Sequence, residues 1–134
     1  MKRLSIILIA LVLLLAGCAP QYRTDITREE IVAAYEAAGY SVSSRVYDKK
    51  LDHGEIAYIQ ANHPNGDYIF FSIFETEKEA QAYKAEYYHP VVMSLFSVIY
   101  GQPSWPRWGV YGCIVVEYDQ PEYFGVFEDL LKAK

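Results

Sequence analysis

From Thr27 onward the apolar positions change period along the chain, and each change marks an element. Thr27-Arg28-Glu29-Glu30 reads as a capping box, in which a threonine and a glutamate three residues later satisfy each other's backbone N–H. Ile31, Ala34, Tyr35 and Ala38 follow at helical spacing, and Gly39 stands where a helix passes into its C-terminal cap. Tyr40 to Tyr47 alternates and predicts a strand. Asp48 to Gly54 reads as a charged, solvated turn. Glu55 to Asn62 is a second strand, and His63-Pro64-Asn65-Gly66 is a turn signal that joins it to a third, Asp67 to Phe74. That third strand is nearly all apolar, as for a central strand buried on both faces.

Thr76-Glu77-Lys78-Glu79 is a second capping box. Ala80, Tyr83 and Tyr87 then share one side of a helix that ends before Pro90. Residues 91–100 carry two signals. Their β-branched content favours a strand, whereas Val92, Leu95, Phe96 and Ile99, with Gly101 as a stop, favour a helix; the helix is the reading adopted. Trp108 to Tyr111 and Cys113 to Tyr118 predict a hairpin or one bent strand broken at Gly112. Pro121 suits the first position of a last helix with an apolar face of Tyr123, Phe124, Phe127, Leu130 and Leu131. The predicted order is α-β-β-β-α-α-β-β-α. Residues 27–134 are expected to be one α+β domain, an antiparallel sheet of about four to five strands with helices packed on it.

The pattern before Thr27 is different. Lys2 and Arg3 precede an apolar run broken only by Ser5, and Leu15-Ala16-Gly17-Cys18 closes it. A positive start, a short apolar core and small residues before the cut describe a secretory signal peptide. The run from Leu4 to Ala19 is shorter than the roughly 20 apolar residues a spanning helix needs. Leu15 to Cys18 resembles the lipobox of bacterial lipoproteins. The resemblance covers residues 1–18 only and implies removal of 1–17 and acylation of Cys18, palmitate being a typical chain. Two or more acyl chains suffice for stable anchoring. Ala19, in place of an inner-membrane retention aspartate, implies the outer membrane in a two-membrane cell. In a one-membrane cell the outer face of the cell membrane is implied. Residues 18–26 then form a tether, and the eight residues after Cys18 reach at most about 26–29 Å.

Removal of Lys2 and Arg3 leaves ten basic residues against seventeen acidic ones, a net charge of −7 over 117 residues. That balance disfavours nucleic acid and anionic lipid surfaces, so the lipid is the expected membrane contact. With Cys18 acylated, Cys113 is the only remaining thiol, which excludes an internal disulfide. Its apolar run, Cys113-Ile114-Val115-Val116, predicts a buried, inert side chain. All aromatic residues follow Cys18, and thirteen of them are tyrosine, a side chain suited to half-buried positions and contact surfaces.

No nucleophile elbow, zinc-protease helix, phosphate loop or paired-cysteine motif is present, and no cofactor is called for. His53 and His63 lie at opposite ends of the second strand, about 33 Å apart, and cannot share a metal. His63 and His89 are predicted at one end of the sheet, a weak candidate pair for one ion or acidic ligand. The densest aromatic stretch holds Tyr100, Trp105, Arg107, Trp108 and Tyr111 with Pro103 and Pro106. Trp, Tyr and Arg dominate binding hot spots, so these five residues are the candidate binding surface, the competing role being a plug beneath the loop. The expected function is a non-catalytic binding or adaptor domain at the cell envelope, with an envelope protein or glycan as partner. The alternatives are an envelope inhibitor or immunity-type protein, and a small enzyme whose residues are scattered in sequence.

Overall fold

The computed structural model describes residues 22–88 and 107–133, and the elements there follow the predicted order. They are α1 (Arg28–Ala37), β1 (Ser41–Val46), β2 (Glu55–Asn62), β3 (Tyr68–Phe74), α2 (Glu77–Tyr87), β4 (Arg107–Tyr111), β5 (Ile114–Tyr118) and α3 (Pro121–Lys132). The signal segment, Cys18, His89, the 91–100 helix, Tyr100 and Trp105 lie outside the described residues.

Both capping boxes form. The Glu30 N–H donates to Thr27 Oγ1 at 3.2 Å, and the Thr27 N–H donates to Glu30 Oε2 at 2.8 Å. Thr76 and Glu79 repeat this at the start of α2, with both bonds at 3.2 Å. Helix α1 ends on Gly39, whose φ of +88° is a left-handed value that suits glycine. There the Gly39 N–H donates to Glu36 O and the Tyr40 N–H to Tyr35 O, both at 3.0 Å, the bond pair of a Schellman cap. The accompanying apolar contact is Tyr40 edge-on to Tyr35, ring centroids 5.0 Å apart. The cap therefore also fixes where the chain enters β1.

The strands form one antiparallel sheet in the order β1-β2-β3-β5-β4. β3 is central, as its apolar content predicts. The chain from Tyr111 to Ile114 is a hairpin, with Gly112 and Cys113 as its two-residue turn. Helices α1 and α3 pack on one face of the sheet, and α2 packs on the other over β3, β4 and β5. The first face holds the main core. Ile31 and Tyr35 of α1 meet Ile59, Ala61, Ile69, Phe71 and Val116 of the sheet and Phe127 and Leu131 of α3, all buried. The Tyr35 hydroxyl is satisfied in that core by donating to the Tyr123 carbonyl at 2.7 Å. Burial raises its pKa well above the ordinary tyrosine value.

Candidate binding face

Directly opposed residues in an antiparallel pair share a face, so the register sorts every strand residue. Ala57, Ile59 and Ala61 of β2, Ile69 and Phe71 of β3, and Ile114 and Val116 of β5 point to α1 and α3. The alternate positions are of another kind. Tyr58 and Gln60 of β2, Phe70 and Ser72 of β3, Glu117 of β5 and Trp108 of β4 form the second face, where aromatic and polar side chains are mixed.

A bulge adds one more polar group to that face. Glu55 pairs with Phe74 and Ala57 pairs with Ile73, so β2 fits an extra residue, Ile56, opposite none in β3. Regular alternation would put Glu55 on the face of Ala57; the bulge turns it to the side of Phe74, beneath α2. Glu55 is 6 % exposed there. Its Oε2 lies 2.9 Å from His53 Nε2, and its Oε1 is buried without a hydrogen-bond partner among the described residues. An unsatisfied buried acceptor costs about 1–3 kcal/mol, more when charged, so the fold holds Glu55 here against a penalty. The His53 ring is 5.2 Å from Tyr83 and 6.0 Å from Tyr87, and these two tyrosines are 4.6 Å apart. Burial raises the pKa of Tyr83, and the neighbouring charge of Glu55 raises it further.

The loop before Glu55 is not simply solvated, as its composition led us to expect. Lys50 Nζ sits 2.8 Å from Glu75 and 2.7 Å from Glu79, and those bonds raise its pKa above the usual lysine value. The Glu79 carboxyl is correspondingly held below its usual range, with Lys50 the largest cause. The loop is thus tied to the start of α2 by its own lysine and packed against it through His53.

Strand β4 separates the predicted aromatic surface. Trp108 is on the second face, half-buried, with Tyr88 at 4.7 Å and Lys84 Nζ 4.7 Å above its ring, a cation–π contact. The Tyr88 hydroxyl donates to Glu117, and burial, followed by that bond, pushes its pKa far up. Trp108 therefore closes the end of the layer between α2 and the sheet. Tyr111 points the other way, packing 5.6 Å from both Phe124 and Phe127. Its ring folds back over Gly109, where a Cβ would lie 2.8 Å from the Tyr111 ring. Arg107 is exposed and shares the Tyr111 face, opposite Tyr118. Trp108 on one side and Arg107 and Tyr111 on the other do not make one contiguous surface.

The remaining candidates resolve as follows. His63 packs between the rings of Tyr40 and Tyr123, 5.2 Å from each. The Tyr123 hydroxyl donates to Asp67 at 2.8 Å and accepts from Asn65 at 2.7 Å, so the turn before β3 is pinned to α3. Among the described residues no three His, Cys, Asp or Glu side chains are grouped to hold a metal. Cys113 is not the buried first residue of a strand. It is a half-buried turn residue whose Sγ donates to the Glu75 carbonyl at 3.7 Å. The His53–Glu55 pair escaped the sequence reading. The spacing of a histidine and a glutamate two residues apart at a strand start was visible, but their burial depends on the bulge and on α2.

The chain matches no family model, no curated protein and no solved structure. The site must be read from its own chemistry.

Proposed function

We propose that this chain is a bacterial lipoprotein, held outside the cytoplasm by a lipid on Cys18, whose domain binds an envelope partner through the second face of its sheet. The observation that carries the binding reading is the row of rings on β2 and β3 and at Tyr47, just after β1. Tyr58 stacks on Phe70 with centroids 5.5 Å apart and planes at 13°, and Tyr47 lies 6.0 Å from Tyr58. Arg45 Cζ sits 5.6 Å over the Tyr47 ring, and Tyr68 beside the row is 38 % exposed. Tyrosine presents much contact area for little lost rotamer freedom, and Tyr and Arg dominate hot spots. Rings fixed on a sheet are preorganised for contact, which lowers the entropy cost of binding.

The anchoring reading rests on the lipobox resemblance and on a mature chain too acidic to bind anionic lipid by charge. No helix among the described residues is long and apolar enough to cross a membrane. With one membrane the site of display is the outer face of the cell membrane; with two it is the outer membrane.

Two measurements test the reading. Metabolic labelling with a palmitate analogue is expected to mark the native protein and not Cys18→Ser, which should leave the membrane fraction. Crosslinked co-purification of the lipidated chain from native membranes is expected to recover one stoichiometric protein or glycan partner. A Tyr58→Ala, Phe70→Ala double variant should lose it, and Glu36→Ala on α1 should keep it. Recovery of the chain alone would count against an envelope partner.

A further inference from the structure

The partner face leaves Glu55 unexplained. Its Oε2 is engaged by His53, while Oε1 is a buried acceptor with no donor among the described residues. Lys50, the nearest lysine along the loop, is turned instead to Glu75 and Glu79. A carboxylate oxygen accepts hydrogen bonds, and its strongest complement is a cationic group that carries N–H donors. The surroundings suit such a group, because ring faces attract cations electrostatically and three rings, of His53, Tyr83 and Tyr87, stand together beside the carboxylate.

We propose that Glu55 anchors a small binding site for a primary ammonium group, enclosed by the rings of His53, Tyr83 and Tyr87. The carboxylate is fixed by the β2 bulge and forms the floor. Tyr87, 49 % exposed at the end of α2 and packed against the His53 and Tyr83 rings, is the outermost of the three. A primary ammonium supplies donors to Oε1 and charge to the rings. A quaternary ammonium supplies charge without donors, and a bare monovalent cation likewise has no N–H to give Oε1. The proposed ligand class is a primary amine, free or at the end of a lysine side chain. The site is independent of the partner face on β1–β3, so either can fail without the other.

The test is an NMR titration of the detergent-solubilised full chain with ethylammonium chloride. Tetramethylammonium chloride and potassium chloride at matched ionic strength are the controls. Ethylammonium is expected to give saturable shifts confined to the His53, Tyr83 and Tyr87 rings, with half-saturation in the millimolar range for so small a ligand. Glu55→Gln keeps the shape and removes the charge, and should bind roughly ten-fold more weakly or not at all. Tyr87→Ala, at an exposed position, should fold normally and bind several-fold more weakly. The proposal is overturned by the absence of a saturable shift, by equal shifts from tetramethylammonium, or by native affinity in Glu55→Gln. If Glu55→Gln does not fold, native affinity in Tyr87→Ala overturns it in the same way.

Discussion

The two faces of the one sheet are built from opposite materials. Against α1 and α3 lie Ile59, Ile69, Phe71 and Val116, fully buried and without a charged group. Under and beside α2 lie Tyr58, Phe70, Ser72, Glu55, Glu117 and Trp108, where each polar group needs a partner and one carboxylate oxygen has none among the described residues. Hydrophobic burial is non-directional and scales with area, so the first face can hold the fold by shape alone. The second face gives up part of that gain to keep rings and charges at fixed places. The proposed function places recognition on the second face and leaves stability to the first.

The largest expected contrast is between neighbours in β3. Phe71→Ala on the first face should cost about 3–5 kcal/mol in urea unfolding, because it empties a closed core. Phe70→Ala on the second face should cost about 1–2 kcal/mol, since that ring is only partly buried. Equal losses would erase the distinction. Next comes Gly109→Ala, which places a methyl group 2.8 Å from the Tyr111 ring and should destabilise by about 1–3 kcal/mol. Tyr111→Ala in the same chain should relieve that added penalty, and a strictly additive double-mutant cycle would count against the close approach. Thr27→Ala and Thr76→Ala should each cost about 1 kcal/mol by removing a cap, one from the helix over each face.

The smallest effect is in pH. Glu30 and Glu79 have folded pKa values below the usual 4.5, mainly through the Thr27 N–H for Glu30 and Lys50 for Glu79. A carboxylate lowered by folding contributes stability that is present above its unfolded pKa and is lost as pH falls through the folded one. Urea midpoints should therefore decline as the pH drops below 4.5, and Glu79→Gln should flatten that decline. An unchanged acid limb in Glu79→Gln would show that the Lys50 contact is too well screened to matter.

The fold was legible where local chemistry decides it. Two capping boxes, the glycine after α1, the β2 span and the Asn-Gly turn are each set by residues a few positions apart, and each appears as read. The central place of β3 followed from its composition alone. What the sequence did not disclose depends on distant partners. The bulge at Ile56 exists only relative to β3, and it reverses the side on which Glu55 lies. Cys113 looked buried because its neighbours are apolar, yet a two-residue turn needs two residues, and Gly112 takes Cys113 with it. The aromatic run from Tyr100 read as one surface because proximity in sequence stood in for proximity in space. Alternation along β4 instead sends Trp108 and Tyr111 to opposite faces. Lys50 and His53 read as solvated because Glu75, Glu79 and Glu55 become their partners only after the sheet and α2 form.

The central claim is that recognition belongs to the second face. A photocrosslinking residue placed at Tyr68, which is exposed on that face, and in a separate chain at Glu36, exposed on α1, tests it most directly in native membranes. The account predicts a discrete adduct from position 68 and none from position 36. An adduct from position 36 alone, or equal adducts from both, would contradict it.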